Sequence, residues 1–461
     1  MLPSIDTIVV VLTCLLTFYF TLKNRSKPVI LILSFSLSMN FFIELGTRWT
    51  LWKVFALSYW SAYFIRRASK RERIIPEFLP RELVFLIILI FVNSILQYMR
   101  LEIYKPEYYY QVPLFQSLQL RTFVQFVSYL LKFSYFIIPL TIMMEKKTNI
   151  KTFLNAYLVM TTILNLYGIY QIIAFKFGLP FRGIQYSAWH TGLGMFSVMD
   201  KTIFRVNSLA NEPKQLALFL LPSLGMLIYT NVMRKRGWDN IWKLWNLAFH
   251  LFVFIMAFST AGFGGISLGL LFEFLYLSNI LKVNRYYLIL LLSITASLSF
   301  LALVFTLEGK DIVFEALKFR IFQNPMPFPQ RMEGKALLYL FRHPNNILLG
   351  FGPGNYNFYI PGTVGKWGVA PIVSDAIAML LDNGIIGLIL SISLFFKVFR
   401  RALVYVQQPE KNYHWLKLGI SGSIMALAGY GVLGGLYLYM FFLGVIWAEY
   451  CRLKGLIQPN A

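Results

Sequence analysis

The feature that most narrows what this chain can fold into is its division into apolar blocks of roughly 17 to 25 residues, the length that crosses about 30 Å of hydrocarbon. About thirteen such blocks run near 5–22, 28–45, 48–65, 83–99, 119–144, 152–177, 214–232, 243–262, 263–281, 287–306, 372–396, 417–434 and 436–451. A chain of 461 residues that is 57% hydrophobic and only 14% charged has too little charge to cover a water-facing surface. The expected fold is an all-α polytopic membrane protein with about 12 to 14 membrane helices, forming a single integral-membrane domain over 1–461. The first block, IVVVLTCLLTFYFTL, has neither a basic stretch before it nor a small-residue cleavage site after it. It reads as a retained helix and not as a signal peptide.

The basic residues sit in short connectors: KNRSK (23–27), RRASKRER (66–73), EKKTNIK (145–151), MRKRG (233–237), LKVNR (281–285) and the end of KVFRR (397–401). When the spans alternate, all of these fall on one side, which the positive-inside rule makes cytoplasmic. The N-terminus is then expected outside and the C-terminus in the cytoplasm. The net charge of +23 is explained by this pattern. No basic stripe with interleaved aromatics points to a nucleic-acid partner. Three external segments remain, near 100–118, 178–213 and 307–371. Cys14 and Cys451 lie at opposite ends of the chain and imply neither a disulfide framework nor a metal site. No metal-ligand spacing, phosphate-binding glycine loop of the nucleotide type or dinucleotide fingerprint appears, so no metal and no cofactor are expected.

The external side should be poor in cations, yet it carries Arg182, Lys201, Arg205, Lys214, Lys318, Arg320, Arg331, Lys335 and Arg342. An anionic ligand accounts for them, since the arginine fork matches phosphate oxygens. The plainer alternative is solvated charge on long loops. Within the fifth block, LRTFVQFVSYLLKFSYF, Arg121, Gln125, Ser128 and Lys132 share one helical face over a rise of about 16 Å. That face is expected to line a groove running into the membrane. The alternative is that Arg121 snorkels and Lys132 pairs with the intramembrane Glu273. His343 is a candidate base, or else a solvated loop histidine.

Three stretches combine these features. RVNSLANEP (205–213) leads into an apolar span. FSTAGFGGISLG (258–269) breaks two spans. RMEGKALLYLFRHPNNILLGFGPGNY (331–356) is followed after a gap by DAIAMLLDNGIIGLIL (375–390). In this order and topology they resemble the O-antigen polymerase and O-antigen ligase superfamily, with the resemblance covering the chain from about residue 205 onward. The resemblance implies a GT-C-like architecture in the bacterial cytoplasmic membrane. It also implies a metal-independent glycosyltransferase acting on an undecaprenyl-diphosphate-linked glycan. The expected activity is polymerisation of oligosaccharide repeat units into O-antigen, capsular or exopolysaccharide. The alternatives are an O-antigen ligase and, in another class, a repeat-unit flippase.

Residue by residue, Arg205 and Glu212 match the first motif and Arg331 the second; these three are the expected catalytic residues. Gly350, Gly352, Gly354 and Asn355 match the glycine-rich turn. Arg121, Lys132, Lys214, Lys335, Arg342, His343, Gly352, Gly354, Asn355 and Asp375 are the expected substrate-binding set. A lipid-linked oligosaccharide, the membrane, a chain-length regulator and a flippase are the partners such a role brings. Two departures matter. Where ligases carry a histidine before the D/E-x-G-x-x-G helix, this chain has Ser374 and Asp375, which favours a polymerase. Where ligase-like members show Ser-Arg in the span break, it has Ala261 and Gly262.

Overall fold

The computed structural model describes residues 4–44, 48–72, 76, 78–103, 118–145, 148–181, 195–198, 201–210, 212–232, 239–278, 332–360, 364–365, 368–369, 374–407 and 413–456. Each expected span except 287–306, which lies outside the described residues, falls on a helix. These are α1 (Ile5–Leu22), α2 (Ser26–Ser38), α3 (Leu51–Ser69), α4 (Arg81–Ile103), α5 (Leu118–Glu145), α6 (Ile150–Phe177), α7 (Pro213–Val232), α8 (Asp239–Met256) and α9 (Thr260–Ser278). After two short helices, α10 (Met332–Arg342) and α11 (Tyr356–Tyr359), come α12 (Asp375–Val406), α13 (His414–Val432) and α14 (Leu436–Leu453). Three two-stranded antiparallel hairpins complete the described residues: β1–β2 (Phe42–Glu44, Arg48–Thr50), β3–β4 (Met195–Val198, Lys201–Phe204) and β5–β6 (Val364–Gly365, Gly368–Val369).

Among the described residues, six helices are both long and apolar enough to cross a membrane (α1, α4, α5, α6, α12 and α14), and three shorter apolar helices accompany them. The chain is an all-α, multi-pass membrane protein. Two expected boundaries move furthest. α2 stops at Ser38, because Asn40 turns the chain away and its N–H donates to Leu209 O (3.1 Å), and 42–44 then pairs with 48–50 as antiparallel strands. α12 runs on to Val406, so Arg400 and Arg401 sit on its last turns and not in a connector.

Small residues let the central helices approach closely, the usual device where lipid supplies no hydrophobic drive between helices. A Cβ at Gly444 of α14 would lie 2.3 Å from Phe136 O of α5. On α7, Gly225 backs onto Ser421 of α13, whose hydroxyl donates to Gly225 O (2.6 Å).

Contacts between helix ends sort the connectors. At one end, Arg66 donates to Thr21 O (2.6 Å), Arg67 pairs with Glu145 (3.0 Å), Lys397 pairs with Glu82 (2.6 Å), and Tyr229 packs on His414. The described parts of the basic connectors 23–27, 66–73 and 145–151 therefore share one end of the bundle. At the other end the loops gather. Trp52 stacks on Tyr437 (5.0 Å), Val206 N–H donates to Met256 O (3.0 Å), and Leu436 N–H donates to Asp375 (2.6 Å).

Candidate functional site

At the loop end the first motif follows β4. α8 finishes at Met256, and its last carbonyls have no partner within the helix. Arg205, only 6% exposed, closes that end: Nε donates to Ala257 O (3.2 Å) and an NH2 to Phe258 O (3.1 Å). A cation at the negative end of a helix is electrostatically favourable as well. Phe258 takes a positive φ of 43°, and Ser259 Oγ then accepts from Gly262 N–H (3.1 Å), which starts α9. A side chain at 262 has no room, because its Cβ would lie 2.8 Å from Ala217 Cβ. The absence of an arginine there thus follows from how α7 packs on α9.

The motif continues as a buried loop stitched to α6. Ser208 (φ 52°) donates its hydroxyl to Leu164 O (2.6 Å) and its N–H to Gln171 Oε1 (2.7 Å). Gln171 Nε2 in turn donates to Asn207 Oδ1 (3.1 Å). At the mouth of the loop Glu212 pairs with Lys214 (2.9 Å), both only partly buried, and Asn40 donates to Gln215 (2.6 Å).

A second polar centre lies where α12 breaks. Gly384 has φ 65° and ψ −170°, so the helix is two segments joined by an unwound turn. Within a membrane the backbone groups freed by such a turn need partners. The turn after α10 supplies them. Phe351 and Gly352 N–H donate to Leu381 O (2.7 Å) and Asp382 O (2.9 Å), and Ile385 N–H donates to Ile347 O (2.8 Å). Asn93 of α4 adds bonds to Leu349 O (2.7 Å) and Asp382 O (2.8 Å). The glycines permit this contact: Gly350, Gly352 and Gly354 all have positive φ, and a Cβ at Gly350 would lie 2.5 Å from Leu381 O.

The buried Asp382 carboxylate sits at the middle of this centre, accepting from Tyr129 OH (2.8 Å) and from Gly354 N–H (2.8 Å). Arg121 Nε donates to Gly354 O (2.6 Å), and Thr122 donates to Asn355 Oδ1 (2.9 Å). The amides of Gly350, Gly352, Gly354 and Asn355 are thus bonded to protein acceptors. The expected face of α5 is a face, but Arg121, 8% exposed, turns onto the glycine turn. Lower on the same face, Lys132 pairs with Asp375 (2.9 Å) and not with Glu273, whose carboxyl group instead contacts the Ser421 hydroxyl. Asp375 takes Leu436 N–H on its other oxygen, beside the N-cap Ser374.

Of the remaining expected residues, Lys335, Arg342 and His343 are exposed on and just after α10; His343 Nδ1 lies 2.8 Å from Tyr339 O and its ring stacks on Tyr339. Arg331 lies outside the described residues. The residues that sequence reasoning passed over are Asp382, Asn93 and Tyr129. A signal for Asp382 existed, since a carboxylate two residues before a glycine inside an apolar run is costly and rarely idle.

No family model matches this chain, and neither does any curated protein. What the fold and its two polar centres define is therefore a class: an all-helical, multi-pass membrane protein whose loop end is held by a buried arginine on one side and a broken helix on the other.

Proposed function

We propose that this chain is a membrane glycosyltransferase that polymerises undecaprenyl-diphosphate-linked oligosaccharide repeat units at the outer face of the bacterial cytoplasmic membrane. The observation that carries the reading is that Arg205, Lys214, the Asp375 partner of Lys132, and α10 with Lys335 and Arg342 all belong to the bundle end opposite the basic connectors. With those connectors in the cytoplasm, the loop end faces outward, the N-terminus is external and the C-terminus cytoplasmic.

In this reading a hydroxyl of one lipid-linked unit attacks the reducing-end sugar carbon of the growing chain. The bond from that carbon to the lipid diphosphate breaks, and the hydroxyl proton passes to a base. Lys214, beside the motif's Glu212, and Lys132 are partly open to solvent, and with Arg331 they would meet the negative charge that develops on the leaving diphosphate. Arg205 sets the turn on which that charge rests. Glu212 is the base candidate, because it is only partly buried and lies where a membrane-anchored acceptor arrives. Asp375 stands where ligases carry histidine and is held by Lys132, which supports polymerase over ligase.

The test is purified protein in detergent with a synthetic lipid-diphosphate repeat unit, read as a ladder of products. Arg205→Lys and Arg331→Lys keep charge and lose the fork. If both variants, folded normally, make full-length ladders, the reading fails. In a deletion strain, single repeat units on the acceptor mark a lost polymerase. Unligated polymer marks a lost ligase, and units stranded on the inner leaflet mark a lost flippase.

A further inference from the structure

α10 is short, yet its surface divides into three sectors. Ala336 and Leu340 are buried against Phe351 and Leu381. Lys335 and Arg342, roughly 20° apart at about 100° per residue, form an exposed cationic edge. Between the cationic edge and the bundle, Leu338 and Phe341 are left 47% and 63% exposed, and Leu348 in the following turn 60%. Three large apolar side chains held open on a rigid, well-anchored element need a partner other than water.

The surroundings identify it. Arg100 of α4 donates to Asn346 (2.7 Å), and Ile385 of α12 donates to Ile347 O, so the turn is flanked by two membrane-spanning helices. Both helices carry exposed apolar side chains at that level: Val92, Leu96 and Met99 on α4, and Ile385, Ile386 and Ile389 on α12. The open face of α10 and its turn continues this lipid-facing belt. An apolar strip edged by lysine and arginine is the pattern of a helix seated at a bilayer interface.

We infer that α10 and the turn through Leu348 lie in the membrane interface, with Leu338, Phe341 and Leu348 among the acyl chains and Lys335 and Arg342 at the level of the lipid phosphates. The segment from 332 to 348 is then an interfacial element and not a loop standing in water. This placement holds whatever reaction the protein performs.

Nitroxide labels test it. Single cysteines replace Leu338, Phe341 and Leu348, with Ile389 as the lipid control and Lys335 as the interfacial position, in a chain carrying C14S and C451A. The protein is reconstituted in phosphatidylethanolamine and phosphatidylglycerol vesicles. Labels at 338, 341 and 348 are expected to meet oxygen several-fold more readily than a nickel chelate, as at 389, with 335 intermediate. Nickel access at all three sites overturns the placement in favour of water. Low access to both reagents overturns it in favour of a protein cover, such as a second copy. Should the cysteine-substituted parent not fold, a benzophenone side chain at 341 in the native chain must capture phospholipid; capture of protein alone rejects the idea.

Discussion

The loop end contains two interruptions of helical structure, sealed in different ways. Between α8 and α9 side chains do the sealing: Arg205 takes two of the carbonyls, and Ser259 takes the Gly262 amide at the start of α9. At the break in α12 both donors and acceptors are left over, and a stretch of backbone from 346 to 352 pairs with them, helped by Asn93 and Asp382. A seal made by one cation depends on charge, and an anionic ligand can compete for it. A seal made by backbone depends on shape, and only glycine satisfies it. The α8–α9 turn is thus suited to respond to a substrate, whereas the α12 break is suited to scaffold. The amides of Phe351, Gly352, Gly354 and Ile385 around the break are already bonded to protein acceptors.

The largest effect is expected where shape decides. A Cβ at Gly384 would lie 2.1 Å from Leu348 O, at a φ of 65° that other residues rarely adopt. Gly384→Val should cost about 4 kcal/mol or more, so the protein should accumulate poorly and unfold early in detergent. If its thermal midpoint matches the parent's, the turn is not shape-sealed. Asp382→Ala comes next. It strands a tyrosine hydroxyl and the Gly354 amide, each buried, for a loss of about 3 kcal/mol in all. Asp382→Asn should recover much of that loss, because its amide oxygen can take Gly354 N–H while its NH2 meets the Tyr129 oxygen. Equal losses for the two variants would mean that the negative charge itself, beside Arg121, is what counts.

Arg205 should behave differently. Arg205→Lys keeps the cation but reaches one carbonyl where the guanidinium reached two, a stability cost of about 1 to 2 kcal/mol. If Arg205 acts only as a helix seal, product formation should fall no further than stability explains. In the proposed reaction it falls at least tenfold at temperatures where the variant is fully folded, and the polymerisation assay beside a thermal melt separates the two.

The contrast also marks what a reader of the sequence can reach. Block length located α1 to the residue and α7 to within one, because a span's length and its flanking charges are local properties. The grouping of the basic connectors follows from the same local rule, and the helix-end contacts agree for the described parts of 23–27, 66–73 and 145–151, whereas 233–237 and 281–285 lie outside the described residues. The α12 break was out of reach for a different reason. Asp382 and Gly384 stand in an apolar run that reads as one helix, and the partners that stabilise the unwound turn come from residues 346–352 and from Asn93, nearly 300 positions away. The Arg121 face was legible as a face, but its partner Gly354 is 233 residues distant, so periodicity alone suggested a groove. The alternative reading, that Lys132 forms an ion pair, names the wrong carboxylate for the same reason: its partner is Asp375, 243 residues away, and not Glu273.

That pair offers the finest test of the contrast, because Asp375 uses one oxygen for a cation and the other for a backbone amide. Lys132 and Asp375 are each about one-fifth exposed, at 20% and 18% of their side chains. Solvent therefore screens them, and a double-mutant cycle with Lys132→Met and Asp375→Asn should give a coupling of about 1 kcal/mol. The single variants should not be equal. Asp375 also holds the Leu436 amide at the start of α14, so truncating it to alanine strands a backbone donor, whereas losing Lys132 removes only one charge. If Lys132→Met proves the more damaging to stability, the pair belongs to the scaffold around α5. If instead it leaves stability nearly unchanged and weakens only the saturation of the polymerisation reaction by lipid-linked substrate, Lys132 is the cation that leaves Asp375 for the diphosphate.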